Sequence, residues 1–174
     1  MKKILILMIA LFSFLAASNI QLMHASLVGE ASVSMNDKTF LKSVNYLDNT
    51  GLLAFERGAI LGVTPINSDH SVDFSLDNLG YGDHIISVIG PTYNSRNFEL
   101  VSSNVKKYSN SREHFALKIL NGLVNESSID VFIEDHLIYE KLDYGEYSNY
   151  IHVEIGFQNI TLVDHYSGDE LGRY

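Results

Sequence analysis

The chain has 174 residues, with 21 acidic against 12 basic side chains, two prolines, no cysteine and a hydrophobic share of 46%. Without thiols it can form no disulfide, zinc–thiolate site or thiol nucleophile. The acidic balance, with Lys106-Lys107 as the basic cluster that stands out past the amino terminus, excludes the clustered positive charge that nucleic acid and anionic membrane surfaces require.

The chain opens MKKILILMIALFSFLAAS: two lysines, about a dozen apolar residues, then small residues. That is the layout of a secretory signal peptide over residues 1–18. The run is shorter than the roughly 20 apolar residues of a spanning helix, which disfavours an uncleaved anchor. Ala16 and Ser18 fit the small positions of a cleavage site, so the exported chain is expected to start at Asn19 and to be secreted or periplasmic, with no membrane insertion after cleavage. Loss of Lys2 and Lys3 leaves 10 basic against 21 acidic residues, a net charge of −11. An exported chain without disulfides depends on its core, and this length and apolar content suffice to bury one.

Beyond the signal, short runs rich in Val, Ile, Leu, Phe and Tyr alternate with Gly, Asn, Asp and Ser clusters about every ten residues, the pattern of an all-β chain. Strands are expected at 20–25, 32–35, 39–43, 52–55, 59–64, 72–76, 84–89 and 98–101. A second series follows at 115–120, 129–133, 136–140, 150–154, 159–164 and 170–174. No segment keeps a helical apolar period over three turns. Pro65 and Pro91 stand at strand ends, where a missing amide donor does no damage.

The two series repeat each other. Asp37 and Asp135 lie 98 residues apart, and the same displacement pairs Val33 with Val131, Tyr46 with Tyr144, Thr50 with Ser148 and Gly58 with Gly156. The lead-in stretches LVGE and LVNE match at 96, implying a loop two residues different in length. Preserved strands with changed loops are what a tandem duplicated β unit shows. The expected organisation is a first β-sandwich unit over 19–104, a polar linker over 105–113 and a second, incomplete unit over 114–174. The second is expected to lack counterparts for the strands around Val72, Ile86 and Leu100, and its open edge to dock or to support a homo-oligomer.

IQLMHAS, LGYGDHIISVIG and SIDVFIEDHLIYEKLDYGEYSNYIHVEIG together resemble the bacterial exported family called Domain of Unknown Function 4397. Its members read V-R-V-x-H-A-S, V-D-V-Y-V-D-G and A-Y-G-x-x-S-x-Y, and commonly carry the unit twice. Ile129, Asp130, Val131 and Phe132 match the second motif, and Tyr144, Gly145, Ser148 and Tyr150 the third. His24 and Ala25 match the first, for which the second copy offers Asn121 and Gly122. The first copy departs from the pattern with ASVSM in place of V-D-V-Y-V. The resemblance implies an immunoglobulin-like β-sandwich without an established activity, in which His24, Tyr46, Gly58, Asp130, Tyr144 and Gly156 are structural motif residues.

Chemistry-bearing residues are many and their patterns weak. None of the seven histidines is spaced as a helical or zinc-knuckle pair, and His24 reads as a strand-end residue bonded to a turn rather than a ligand. No G-x-S-x-G elbow is present. Asp164, Asp169 and Glu170, or Asn36-Asp37 with Glu134-Asp135, could hold a calcium ion through oxygens, but solvated turns explain them equally. No catalytic residue, metal or cofactor is therefore assigned. Tyr139, Tyr144, Tyr147 and Tyr150 suit contact with a glycan or a protein at the cell surface. Alternation places Tyr144 and Tyr150 on the core face and Tyr147 outward, so corner packing competes with binding. The expected function is a non-enzymatic structural or surface-binding role, the alternative an extracytoplasmic hydrolase using carboxylates.

Overall fold

The computed structural model describes residues 18–26, 29–56, 58–68, 70–90, 98–106, 113–123, 128–156 and 158–174. Apart from Ser18, the expected signal segment lies outside these residues, as do Pro91, Lys107 and parts of the LVGE and LVNE stretches. The described chain is all-β, with fourteen strands and one 3-10 turn at Leu76–Asn78. Every expected strand is present. The larger departures are that one strand runs on to Val105, into the start of the segment read as a linker, that another continues to Asp143, and that the one expected over 115–120 stops at Leu117. By packing, the chain divides into Met1–Val88 with Ser102–Lys106, and Ile89–Val101 with Lys107–Tyr174.

In the first unit, β1 (Ser18–His24) pairs antiparallel with β4 (Leu53–Phe55) and parallel with β7 (Asp83–Ile89). The last strand of this sheet is β8 (Glu99–Val105), of which residues 99–101, like Ile89 at the end of β7, count with the second unit. Alternation along SNIQLMH sends Ser18, Ile20, Leu22 and His24 to the buried face. The parallel register sets Ile20 opposite His84, Leu22 opposite Ile86 and His24 opposite Val88. The unbroken buried run at the end of β7 suits a strand covered on both faces. A second sheet has the order β3 (Lys38–Val44), β2 (Ala31–Met35), β5 (Ile60–Pro65), β6 (Val72–Ser75). It buries Ala31, Val33, Val44, Leu61 and Val63. Two sheets, each with one apolar face, are the layers of a β-sandwich. Fully buried side chains such as Leu22 and Leu61 contribute about 1.5–3 kcal/mol each.

In the second unit, β9 (His114–Leu117) pairs with β12 (Ile151–Glu154). The larger sheet has the order β11 (His136–Asp143), β10 (Ser128–Ile133), β13 (Ile160–Asp164), β14 (Glu170–Arg173). Its core is Ile129, Val131 and Leu142, packed by Ile119, Leu123, Tyr139, Ile160, Leu162 and Leu171.

The backbone pairing of the first unit recurs in the second. Ala31↔Val44, Val33↔Leu41, Ser34↔Thr39 and Met35↔Lys38 return 98 residues on as Ile129↔Leu142, Val131↔Tyr139, Phe132↔Leu137 and Ile133↔His136, with the same two bulges. These bulges twist edge strands β3 and β11 and blunt them against further pairing. β5 and β13 correspond at 99, because one residue is added after Gly156, and β1 and β9 at 97. The lead-in loops thus differ by one residue, and Leu123 stands in the place of Ser26 rather than of Leu27: each donates its amide to the side chain two residues before it at the same corner, Ser26 to His24 and Leu123 to Asn121. A second expectation is also corrected. β14 lies beside β13 as β6 lies beside β5, so the strand at Val72 does have a counterpart. Among the described residues, what the smaller sheet of the second unit lacks is a pair of strands in the places of β7 and β8.

Each unit is closed by a loop that follows its long edge strand. Thr50 donates its amide to the Leu22 carbonyl and accepts the Leu22 amide on its hydroxyl, both at 3.0 Å. Ser148 does the same with Ile119, at 2.8 and 2.9 Å. Asp48 and Glu146 carbonyls accept the amides of His24 and Asn121, and the His24 and Asn121 carbonyls accept the amides of Leu47 and Gly145. This path requires a left-handed residue at the corner: Gly145 at φ 76° and Leu47 at φ 68°. Leucine is strained there by about 1–2 kcal/mol, glycine is not. Leu47 is 66% exposed and has little burial to lose. Leu47→Gly is therefore expected to leave stability unchanged or raise it by up to about 1 kcal/mol, and Gly145→Leu to lower it by more than about 1 kcal/mol. The added Cβ would also meet Ile89 at 3.4 Å. Urea denaturation of the two variants reads both changes, and a matching loss in both would refute the strain assignment.

Candidate binding surface

The motif residues have backbone duties. Gly58 and Gly156 occupy positive φ, 87° and 154°, at the turns before β5 and β13. His24 and Asn121 are the buried corner residues; Asn121 accepts the Leu123 amide at 3.1 Å and donates to the Leu142 carbonyl at 3.0 Å. The Asp130 carboxylate accepts the amide of Lys141, a bulge residue at φ 56°, and meets His165 Nδ1 at 2.8 Å. Asp130 is thus a bulge cap as well as the hydrogen-bond partner of His165. Tyr46 does not join the core: it is 50% exposed.

The four tyrosines part company. Tyr139 packs against Ile129, Val131 and Leu142. Tyr144 has a buried hydroxyl with no partner among the described residues. Its burial, and then the Glu99 carboxylate, push the phenol above its ordinary range, so it stays neutral. Tyr147 and Tyr150 converge instead. The bridge Leu120↔Tyr147 and the pair Ile151↔Leu117 bring their loop alongside Lys118, whose ammonium lies 5.6 Å from the Tyr147 ring centre and 4.8 Å from that of Tyr150. Both distances are within cation–π reach. Strand alternation had put Tyr147 and Tyr150 on opposite faces, but Tyr147 sits in the closing loop and not on a strand, so the period of two does not apply to it.

The corresponding positions of the first unit touch in the same way with different chemistry. Gln21 and Asn49 stand where Lys118 and Tyr147 stand, and Gln21 Nε2 donates to Asn49 Oδ1 at 3.1 Å. Leu52 stands in the place of Tyr150. One scaffold therefore carries an amide pair in one unit and a lysine between two aromatic rings in the other. The pairing could have been sought in the sequence by extending the 98-residue displacement to Asn49 and Leu52.

Asp164, Asp169 and Glu170 do not converge on a cation. Asp164 Oδ1 accepts the Tyr166 amide at 3.0 Å in a tight turn, and Glu170 pairs with Arg173 at 3.3 Å. Among the described residues no group of three His, Asp or Glu is placed to hold a metal ion. Glu134 caps the opposite end of the sheet, taking the Asn159 amide at 2.7 Å; that bond and the Asn159 side chain hold its carboxyl below the usual range.

No family model matches the sequence, and no curated protein matches it at a significant level.

Removing the Asp130 acceptor tests its part in the fold. Asp130→Ala removes the acceptor of the exposed Lys141 amide and is expected to lower stability by about 0.5–1.5 kcal/mol, and Asp130→Asn, which keeps an oxygen for that amide, by less. Equal losses in thermal melts would show that the cap is not what Asp130 supplies.

Proposed function

We propose that this chain is an exported, non-enzymatic surface-binding protein that holds a cell-surface glycan at Lys118, Tyr147 and Tyr150. The observation that carries the reading is the convergence of one ammonium and two tyrosine rings on the second unit, at positions where the first unit has only an amide pair. Amphipathic rings stack on the apolar faces of sugars while hydroxyls and an ammonium take their oxygens. Thr50, Ser148 and Asp130 are engaged with backbone amides, whereas this cluster is a place where the side-chain chemistry differs between the units. Export, to the periplasm or beyond, follows from the signal-like residues 1–18. Descent by duplication from an immunoglobulin-like unit of the Domain of Unknown Function 4397 kind is supported by the shared 98-residue displacement of the strand pairs. A protein partner or a second copy at the second unit belongs to the same proposal as the other ligand class for an aromatic surface.

Binding of the purified chain, without residues 1–18, to bacterial envelope polysaccharide fractions tests it. Tyr147→Ala with Tyr150→Ala is expected to weaken binding at least tenfold, about 1.4 kcal/mol, while the melting temperature moves by only a few degrees. Binding to polysaccharide that is unchanged in the double variant, or absent in the parent chain, would overturn the glycan reading.

A further inference from the structure

His24 is 1% exposed and sits at the joint between β1 and the closing loop of the first unit. Its amide donates to the Asp48 carbonyl at 3.0 Å, and its carbonyl accepts the Leu47 amide. Its Nδ1 accepts the Ser26 amide at 3.3 Å. A neutral ring bonded in this way carries its proton on Nε2, which is buried with no hydrogen-bond partner among the described residues. A second proton would have to enter at Nδ1, donor against donor with the Ser26 amide, and would place a charge among Leu22, Ile86 and Val88 on the buried sheet face. The second unit repeats these three bonds around Asn121, which cannot titrate.

We propose that His24 is an acid-released latch: its protonation frees the 45–50 loop of the first unit, with the exposed Tyr46 and Leu47, while the equivalent 143–148 loop stays closed on Asn121. The charged group that acts on the ring from the loop is Asp48, whose carboxyl is held below its usual range by the backbone and side chain of Asn45 and so remains ionised throughout mild acid. From β7, His84 lies four register positions along the same face, with Nε2 donating to the Gly80 carbonyl at 2.9 Å. Burial depresses the His24 pKa below 6.5; the Gly29 and His24 carbonyls and, more weakly, Asp48 pull it back without reversing the shift. The sign follows: the opened loop exposes a histidine that takes a proton more readily than the closed one. The latch is therefore at full strength above about pH 6.5 and weakens as pH falls from there through the closed-state value.

Amide hydrogen exchange resolved by residue, on the whole chain at pH 7.5 and pH 5 and corrected for intrinsic rates, compares the two corners within one molecule. Protection of the Leu47 and Thr50 amides is expected to fall at least tenfold more at pH 5 than that of Gly145 and Ser148. His24→Asn, which installs the residue used by the second unit, is expected to remove the difference. Equal changes at both corners in the parent chain would overturn the latch even if the variant failed to fold, and so would a difference that persists in the folded variant.

Discussion

The fold depends on one reciprocal contact: a hydroxyl residue at the end of a loop that satisfies both backbone groups of a residue in the first strand. Thr50 serves Leu22, and Ser148 serves Ile119. These backbone groups lie next to side chains that must be buried, where an unpaired amide or carbonyl costs about 1–3 kcal/mol. Only a residue with a short acceptor on its side chain can meet the amide while its own amide meets the carbonyl. Once this contact is made, the first strand is fixed beside the fourth, the long edge strand has to turn at Asn45 or Asp143, and the corner residue is forced into a left-handed conformation.

That constraint explains which parts of the architecture are legible in the sequence. Thr50 and Ser148 match at the 98-residue displacement because both carry a short hydroxyl acceptor beside their own amide, and Gly58 and Gly156 match because both turns have positive φ. Strands are legible because burial on one face enforces alternation, as in SNIQLMH. Strand ends are less so: β11 reads as finished at Glu140 because its bulges interrupt the period of two, yet pairing resumes at Leu142 with Ile129. The equivalence of β14 to β6 is hidden for a similar reason, since added residues after Gly156 and in the last hairpin displace the match beyond 98.

The candidate site was only half legible. Tyrosine content singled out four residues, but their environments depend on tertiary neighbours that carry no periodic signal: the Ile129 core under Tyr139, the desolvated pocket of the Tyr144 hydroxyl, and Lys118 between the other two. Lys118 follows an apolar strand and reads as a solvated lysine until the loop from Glu146 is laid beside it. His165 is in the same position with respect to Asp130, from which it is separated by thirty-five residues and joined only by the pairing of β10 with β13.

Repetition of a frame also separates structural from functional demands, because the frame acts as its own control. Where both units need the same backbone geometry they use residues with the same capacity: threonine and serine at the loop end, aspartate and glutamate against Asn45 and Asp143, asparagine and glutamate at the hairpin between β2 and β3 or β10 and β11. Where the frame leaves the choice open, the units diverge in charge and polarity. Leu47 faces Gly145 across the displacement although glycine fits the corner with less strain, His24 faces Asn121 although asparagine satisfies both of its bonds, and Gln21 with Asn49 faces Lys118 with Tyr147. In the first two cases the first unit holds the residue that costs stability, a strained exposed leucine and a buried ring with an unmet nitrogen. In the closed, neutral-pH state glycine is the less strained residue for the corner and asparagine the better-bonded one for the joint, so neither leucine nor histidine stabilises that state of the first unit.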